Sequence, residues 1–211
     1  MNVAVVYCCP TAERYTYLPF AKRFARSWLV YPPGFDHKFY IMVNGLDWPK
    51  DFRSEFAAIP HHYEFHDNVG WDIGAFQRAA NVIPCDLLVC LGAHICFNHD
   101  NWLKTIVDAY AENGPGLYGP WGAMFPTVHV RTTAFWCPPE LLMSYPFYIQ
   151  SDRKSRYGFE HGQDSFTKWT RDCGFPVYML TTKGCFEVPQ WEQMSPTAEE
   201  SIMLDKQHKG L

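Results

Sequence analysis

The sequence lacks the short motifs that identify several common classes of enzyme. No GxGxxG follows the first predicted strand, and no GxxxxGK[ST], GxSxG or HExxH occurs anywhere in the 211 residues. These absences exclude the usual dinucleotide-binding loop, the P-loop, the nucleophile elbow of α/β-hydrolases and the helical zinc motif of metalloproteases. Any catalytic function of this chain therefore depends on a different arrangement of residues.

Basic clusters and long apolar runs are also missing. The chain has 18 Lys and Arg against 22 Asp and Glu, a net charge of −4, and its basic residues form no long run. Because phosphate backbones need a basic surface, no nucleic-acid partner is expected. No apolar run approaches the roughly 20 residues that cross a bilayer, so no transmembrane segment is predicted. The start, MNVAVVYCCP, lacks the basic region of a secretory signal, which favours a cytoplasmic location.

Paired cysteines are absent as well. The eight cysteines form no CxxC motif, and most of them lie in apolar, strand-like segments. This pattern favours buried free thiols over disulfides or a zinc site, and free thiols agree with a reducing compartment.

Apolar runs alternate with amphipathic segments, a pattern that predicts an α/β fold with a mixed, mostly parallel sheet flanked by helices. Strands are predicted at 2–7, 38–44, 61–66, 86–91, 117–119, 127–136 and 176–181. Helices are predicted at about 12–31, 50–58, 71–82, 102–113, 138–145 and 163–172. The polar segment 150–158 is predicted to be a loop that acts as a mobile lid. We expect one domain over residues 1–211, and its small size favours one module of a longer protein.

The turn before the third predicted helix carries the most specific local signal. Asn68 and Gly70 suit a left-handed turn, and Asp72 opens the helix that follows. A carboxylate at this position can accept hydrogen bonds from a base, a ribose or a neighbouring Arg. It is equally consistent with a plain N-terminal helix residue.

The fourth predicted strand ends in a second candidate segment. Residues 86–91 are nearly all apolar, as expected for a strand covered on both faces of a parallel sheet. In such sheets ligands bind beyond the carboxyl ends of the strands, which points to Gly92, Ala93 and His94. A neutral imidazole at His94 can ligate a metal or donate to a phosphate.

Two carboxylates and an imidazole lie together near the sixth predicted helix. Glu160 and Asp164 are four residues apart, so both can face one cleft, and His161 follows Glu160 directly. A carboxylate in such a place can act as a general base. The alternative is a capping role at the helix N-terminus.

Further candidates occur in two other segments. Alternation along 127–136 gives His129, Arg131 and Thr133 one face of the predicted strand. Arg131 would suit a diphosphate if this strand is an inner one, or solvent if it is an edge strand. Asp205 and His208 could complete a cation site with an upstream group, although a frayed C-terminus explains them equally well.

In their order along the chain, these segments resemble nucleotide-sugar glycosyltransferases of the GT-A fold, particularly bacterial and viral transferases of capsule and rhamnan synthesis. The resemblance covers about residues 2–181. The matching segments are the first strand with its CCP exit, NVGWDIGAFQ, DLLVCLGAHICF followed by NWL, HVRTTAFW, and FEHGQDSFTKW before a final strand.

The resemblance implies a hexose transfer from a nucleoside-diphosphate sugar, with a UDP-sugar favoured, to a glycan acceptor. The loop after the first strand, Cys9 to Thr11 with Arg14 beyond it, would hold the nucleotide. The implied nucleoside site includes Asn68 and Asp72. Either Glu160 or Asp164, with His161 between them, matches the acidic position that serves as general base in inverting members. A retaining reaction would not need that base, so both stereochemical outcomes remain open.

The implied metal site departs from the family pattern. The strand that ends at residue 91 normally leads into an Asp-x-Asp motif that binds Mn²⁺ or Mg²⁺ on the donor diphosphate. Gly92-Ala93-His94 stands at that place here. Three alternatives follow. The chain binds the metal more weakly, it binds the metal through His94 with Asp205 or His208, or cationic groups such as Arg131 take the place of the metal.

Two other functions are also consistent with the sequence. A transferase-like domain that has lost activity would bind a nucleotide sugar or a glycan without turnover, and the triplet at residues 92–94 keeps this alternative open. A nucleotidyltransferase shares the same base-binding half. It normally has a Gly-rich, basic loop after the first strand, where this chain offers only Arg14.

Overall fold

The computed structural model describes residues 1–12, 14–194 and 196–206, and the side chains of Arg14 and Tyr15 lie outside that description. The strands of the described part are β1 Val3–Pro10, β2 Lys38–Asn44, β3 His62–His66, β4 Leu87–Leu91, β5 Cys96–Phe97, β6 Leu117–Gly119, β7 Gly122–Ala123, β8 His129–Val130, β9 Ala134–Cys137, β10 Val177–Thr181, β11 Gly184–Glu187 and β12 Met203–Leu204. The α-helices are α1 Arg14–Val30, α2 Lys50–Glu55, α3 Trp71–Val82, α4 Trp102–Asn113, α5 Pro139–Met143, α6 Arg153–His161 and α7 Phe166–Asp172, followed by a 3₁₀ helix at Val188–Gln193.

Eight strands form one mixed sheet in the order β11-β10-β6-β9-β4-β1-β2-β3. Strand β1 pairs in parallel with β2 and β4, β2 pairs in parallel with β3, and β10 pairs in parallel with β6. The antiparallel strand β9 lies between β4 and β6, and β11 forms an antiparallel edge. The predicted α/β class with a mostly parallel sheet is confirmed. Within the described residues, no helix combines the length and apolarity needed to span a bilayer.

Side chains of β1 alternate between two buried cores on opposite faces of the sheet. Val5, Tyr7 and Cys9 pack into the core beneath α1 and α4. Val6 and Cys8 pack into the core beneath α3 and α5. A strand buried on both faces needs apolar residues at every position, which explains the unbroken run at the start of the chain. The two adjacent cysteines therefore lie on opposite sides of the sheet.

All eight cysteines are free, and five of them (Cys8, Cys9, Cys90, Cys96 and Cys137) are buried. Burial also raises the pKa of the Cys8 and Cys90 thiols well above the usual value, so these side chains remain protonated and unreactive. The prediction of buried thiols is confirmed for these five.

Two predicted elements differ from the structure. The predicted strand 127–136 is broken into β8 and β9 by a turn at 132–133, because the two pieces pair with different strands: β8 with β7, and β9 with β4 and β6. The predicted lid loop 150–158 is wrong, because most of it belongs to α6. The Asp152 side chain caps that helix by accepting from the Ser155 N–H at 2.8 Å.

The turn before α3 leaves no room for a side chain at Gly74. A Cβ built on Gly74 would lie 2.0 Å from the carbonyl oxygen of Val69, a backbone atom that the turn holds in place. Gly158, in α6, is the contrasting case, because a Cβ there would meet nothing within 4 Å.

We therefore expect Gly74→Ala to lower the free energy of unfolding by about 1–3 kcal/mol or more, since the chain must shift to remove the clash. The matched change Gly158→Ala should raise it by about 0.5–1 kcal/mol, since alanine costs less entropy in a helix. Urea denaturation followed by circular dichroism measures both. Equal stability of the two variants would contradict this account of the turn.

Candidate active site

A cleft of about 610 Å³ lies at the carboxyl ends of β1, β2 and β4, beneath one face of α6. Seven predicted site residues line it: Asn68, Asp72, Gly92, Ala93, His94, Glu160 and His161. Further lining residues that were not predicted include Tyr17, Trp71, Arg153, Arg156, Tyr157 and Lys206. The cleft is thus formed by segments that are far apart in the sequence.

A larger groove of about 850 Å³ lies on the other side of the 66–70 turn. Its wall includes Leu46, Phe65, Phe147 and Tyr148, all of them exposed. It lies beyond the ends of β2 and β3 and contains neither the end of β4 nor Glu160. Ligands of such sheets bind where the strand order reverses, which here is between β1 and β4, and the ends of these two strands line the smaller cleft. We therefore take the smaller cleft as the candidate active site.

The 68–71 turn forms one wall of the cleft in a conformation that L-residues rarely adopt. Asn68, Gly70 and Trp71 have φ of 69°, 74° and 53°. A left-handed conformation at a residue as bulky as Trp71 costs on the order of 1–3 kcal/mol. The Ser151 hydroxyl stabilises the turn, because it accepts from the Gly70 N–H at 3.0 Å and donates to the Asn68 carbonyl at 3.2 Å.

Asp72 and Arg156 connect this wall to α6. Their nearest atoms, Oδ2 and a guanidinium nitrogen, are 3.6 Å apart, and the guanidinium also lies 5.7 Å from the centre of the Trp71 ring. Burial raises the pKa of Asp72, and the charge of Arg156 opposes that rise. The Arg156 side chain is 47% exposed, so it remains accessible to a ligand in the cleft.

The loop after β4 forms the floor of the cleft. A Cβ at Gly92 would lie 2.9 Å from the Thr133 carbonyl oxygen, so only glycine allows this close approach of two backbones. The Tyr7 hydroxyl donates to the Ala93 carbonyl at 3.1 Å, and Arg23 donates to the His94 carbonyl at 2.6 Å. These contacts fix a loop whose side chains include no carboxylate.

His94 is a neutral imidazole in this setting. Its ring lies edge-on to Phe20 at 4.4 Å and near Tyr17 at 5.6 Å. Burial, together with the positive charges of Lys206 and Arg23, lowers the pKa of His94 to about 4.

Glu160 lies near the end of α6 among polar partners. The Thr132 hydroxyl donates to Glu160 Oε2 at 2.9 Å. The Nε2 atoms of His129 and His161 lie 4.0 and 3.8 Å from the Glu160 carboxylate oxygens. Burial lowers the pKa of His161, although the charge of Glu160 opposes this shift. The group His129, Glu160 and His161 could hold a metal ion, since one ligand atom from each lies within 4.8 Å of the others.

Three cationic side chains line the same cleft, namely Arg153, Arg156 and Lys206, and all three are exposed. The acidic side chains of the lining are Asp72 and Glu160. Since Asp72 is close to Arg156, Arg153 and Lys206 remain with Glu160 as the one other carboxylate of the lining, so cations outnumber carboxylates in the cleft. This arrangement suits a ligand that carries several negative charges.

Other predicted site residues lie elsewhere. Cys9 points into the core on the opposite face from the cleft-lining Cys8, and the buried Thr11 hydroxyl donates to the Asp47 carbonyl at 2.9 Å. Asp164 is exposed outside the cleft lining, where its backbone carbonyl accepts from Tyr145. The Arg14 side chain lies outside the described part of the chain.

Arg131 and Asp205 were predicted to bind a diphosphate and a metal. In the structure they pair with each other at 3.2 Å, and the Arg131 guanidinium lies 5.6 Å from the centre of the Trp121 ring. Asp205 is only 1% exposed. His208, the third predicted metal ligand beside His94, lies outside the described residues.

The sequence pattern of α6 contains a signal for the two unpredicted arginines, Arg153 and Arg156. Residues 153, 156, 157, 160 and 161 recur at the spacing of one helical face, and all five line the cleft. A polar face of this kind is usually a solvated surface. Here it becomes the roof of the cleft, because Phe159 on the other side of the helix is buried.

Comparison with known proteins supports the fold. No protein-family model and no curated protein sequence matches the chain. A protein described as a nucleotide-diphospho-sugar transferase, from Desulfovibrio desulfuricans G20, aligns over 85% of this chain and 80% of its own, with a TM-score of 0.54 at 14% identity. A mannosyltransferase from Pyrobaculum calidifontis, solved with GDP-Man and Mn²⁺, aligns over 67% of this chain and 45% of its own, with a TM-score of 0.53 at 13% identity.

A nucleotidyltransferase matches equally well. The CMP:2-keto-3-deoxy-manno-octonic acid synthetase solved with CTP aligns over 85% of this chain and 89% of its own, with a TM-score of 0.53 at 8% identity. The chain has a GT-A-like fold. The fold predicted from the resemblance is confirmed, while at this identity the likeness says nothing about the reaction. The chain spans less than two thirds of some matched transferases, including 30% of S. aureus TarS.

The low pKa of His94 predicts how stability depends on pH. The unfolded chain takes up a proton at His94 near pH 6.5, whereas the folded chain does so only near pH 4. Because the unfolded chain binds more protons in this range, His94 lowers the free energy of unfolding as the pH falls from 6.5 to 4. We expect His94→Asn to lose less free energy of unfolding than the wild type between pH 6.5 and 4. Urea denaturation at a series of pH values measures the difference. Parallel curves for the two proteins would contradict the assignment.

Proposed function

We propose that the chain is a glycosyltransferase that moves a hexose from a nucleoside-diphosphate sugar, with a UDP-sugar favoured, to a glycan acceptor. The observation that carries this proposal is a cleft at the strand ends of a GT-A-like sheet, in which a cationic helix face lies beside the carboxylate of Glu160. The cations suit a leaving diphosphate, and the carboxylate suits deprotonation of an acceptor hydroxyl.

In this proposal the nucleoside binds against the 68–72 wall. The Trp71 ring offers a stacking surface and Asn68 offers hydrogen bonds. The diphosphate then lies between Gly92 and α6, where Arg153 and Arg156 reach its oxygens. Gly92 and Ala93 carry no long side chains, so the phosphates can approach the backbone closely.

A divalent cation on the diphosphate is a poor fit to the residues after β4. Mn²⁺ and Mg²⁺ in such a role are held by carboxylate oxygens, and residues 92–94 supply none. The nearby Asp205 is paired with Arg131. The mannosyltransferase with the matching fold was solved with Mn²⁺, whereas here we assign charge stabilisation to Arg153, Arg156 and Lys206.

The proposed reaction follows from the position of Glu160. Its carboxylate removes the proton of the acceptor hydroxyl, the hydroxyl oxygen attacks the anomeric carbon, and the bond from that carbon to the diphosphate breaks. The cations on α6 stabilise the negative charge that develops on the leaving group. The Thr132 hydroxyl orients the carboxylate through its hydrogen bond to Oε2. A base in this position corresponds to an inverting reaction.

The cationic face predicts nucleotide binding without added metal. Isothermal titration with a panel of nucleoside diphosphates in EDTA should show binding to the wild type, and Arg156→Gln should weaken it by about 10–100-fold, because one charge-assisted contact to phosphate is lost. Lys154→Gln is the matched control, since this residue lies on the same helix outside the cleft lining. Binding that requires Mn²⁺, or equal effects of the two variants, would contradict the assignment.

The assignment of Glu160 predicts a separation of chemistry from binding. In metal-free buffer, Glu160→Gln should lower kcat for UDP-hexose hydrolysis, with water as acceptor, by about 10²–10⁴-fold while nucleotide affinity changes little. Asp164→Asn should behave like the wild type, because Asp164 is exposed outside the cleft lining. A Glu160→Gln enzyme with wild-type turnover would exclude this base.

A nucleotidyltransferase is the second candidate, because the synthetase solved with CTP matches the chain over most of both lengths. That enzyme class joins a nucleoside triphosphate to a sugar and releases pyrophosphate. Pyrophosphate release from a nucleoside triphosphate and a sugar phosphate would favour it. Nucleoside-diphosphate binding with neither activity would favour a binding domain that has lost catalysis.

A further inference from the structure

A cluster of two histidines and one glutamate lies where the cleft meets β8. It consists of His129 on β8 and Glu160 and His161 at the end of α6, and is called the His129–Glu160–His161 cluster. Among the residues that the structure describes, it is the group of three His, Cys, Asp or Glu side chains that can supply ligand atoms within 4.8 Å of one another. The cluster is separate from residues 92–94, where GT-A transferases carry their metal motif.

Hydrogen bonds prepare the cluster for a ligand. The Thr127 carbonyl lies 2.8 Å from His129 Nδ1 and can only accept, so Nδ1 carries the proton and Nε2 keeps its lone pair. Such a bond is the usual way in which proteins orient a metal-binding imidazole. The Thr127 hydroxyl also donates to the His161 carbonyl at 2.7 Å, which ties the two histidine segments together.

The spacing around the carboxylate is too long for direct hydrogen bonds and lies between the spacings expected for a bound ion and for a bridging water molecule. The Nε2 atoms of His129 and His161 lie 4.0 and 3.8 Å from Glu160 oxygens, which is too far for a hydrogen bond. A bridging water with tetrahedral geometry would separate such atoms by about 4.6 Å. A tetrahedral ion with bonds of about 2.1 Å would separate such atoms by about 3.4 Å, so the two histidines would need to move about 0.4–0.6 Å closer to the carboxylate.

The donor set decides the class of ion. Two imidazole nitrogens and one carboxylate oxygen suit Zn²⁺, whereas Mg²⁺ and Ca²⁺ prefer oxygen ligands. His129 is 3% exposed, but Glu160 and His161 line the cleft, so a fourth coordination position would open towards the acceptor side. The Thr132 hydroxyl, which donates to Glu160 Oε2, would hold the carboxylate as an outer partner.

We propose that the His129–Glu160–His161 cluster is a binding site for a divalent ion of the Zn²⁺ class. A bound ion occupies the lone pairs of the Glu160 carboxylate, so it blocks that carboxylate as a base. If the proposed function holds, the ion therefore inhibits transfer while the donor nucleotide still binds to the cationic face.

The test uses protein stripped with EDTA and titrated with Zn²⁺ against a chromophoric chelator. The wild type should bind one Zn²⁺ per chain at this site, and His161→Ala and Glu160→Gln should each weaken binding at least tenfold. His129→Asn, a smaller change at the buried position, should do the same, with circular dichroism confirming that each variant is folded. His94→Ala is the matched control and should bind Zn²⁺ as the wild type does.

The spectrum of the Co²⁺-substituted protein and competition by Mg²⁺ test whether the ion binds to this cluster and belongs to the Zn²⁺ class. Co²⁺ in place of Zn²⁺ should give d–d bands without a thiolate charge-transfer band, which distinguishes this cluster from the free cysteines. Mg²⁺ should not compete. The site is excluded if the wild type does not bind Zn²⁺, if the cluster variants bind it unchanged, or if His94→Ala loses it to the same extent.

Nucleotide titration keeps this inference distinct from the proposed function. If nucleoside diphosphates bind and Zn²⁺ does not, the ion site is wrong and the transferase proposal stands. If Zn²⁺ binds at the cluster and no nucleoside diphosphate binds, the site stands and the proposed function fails. When both bind, Zn²⁺ should abolish UDP-hexose hydrolysis at site-saturating concentration without weakening nucleotide affinity, and unchanged hydrolysis would overturn the inhibitory role.

Discussion

The position of α6 over the strand ends is the constraint on which the candidate site depends. Phe159 anchors this helix, because its buried ring stacks on Phe166 at 5.2 Å and meets Tyr145 edge-on at 5.0 Å. Ser151, just before the helix, and the contact between Arg156 and Asp72 join the N-terminal part of this segment to the 68–72 wall. Burial of a side chain of this size contributes about 1.5–3 kcal/mol. The hydrogen bonds of Thr127 and Thr132 to the last turn of the helix add to these contacts in holding its polar face over the cleft.

Electrostatics in the cleft follow from that placement. The floor after β4 has a neutral imidazole and no carboxylate, so the charge needed to hold a polyanion comes from the roof. An arginine offers several donors in a fixed plane and keeps its charge at all relevant pH, which makes it a direct partner for phosphate oxygens. In the proposed reaction, this one helix supplies both arginines for the leaving group and, at Glu160, the carboxylate for the acceptor.

Much of the fold was predictable because its signals are local. The bounds of β2, α3 and α4 match the sequence patterns, since apolar periodicity and flanking turn residues decide them. The floor of the cleft was also predictable, because ligands bind beyond the ends of parallel strands and Gly92-Ala93-His94 follow such a strand.

Contacts between distant segments were not predictable in the same way. Charged residues at 152–156 suggested a loop, because nothing local shows that Phe159 will be buried and carry the helix onto the sheet. Arg131 and Asp205 looked like separate ligands, because only the folded chain shows that they pair. Alternation predicted that His129 shares a face with Arg131 and Thr133, but the turn after β8 breaks the alternation, and the side chains near Glu160 are those of His129 and Thr132.

The most direct test of the central claim is a crystal structure with uridine diphosphate bound in the presence of Mn²⁺. The account predicts a diphosphate between Gly92 and α6, with phosphate oxygens within hydrogen-bond distance of the Arg156 guanidinium and with no metal bridging them. A Mn²⁺ ion that bridges the diphosphate and is held by His94 or Asp205 would contradict it. So would a nucleotide bound in the larger groove beyond the 66–70 turn.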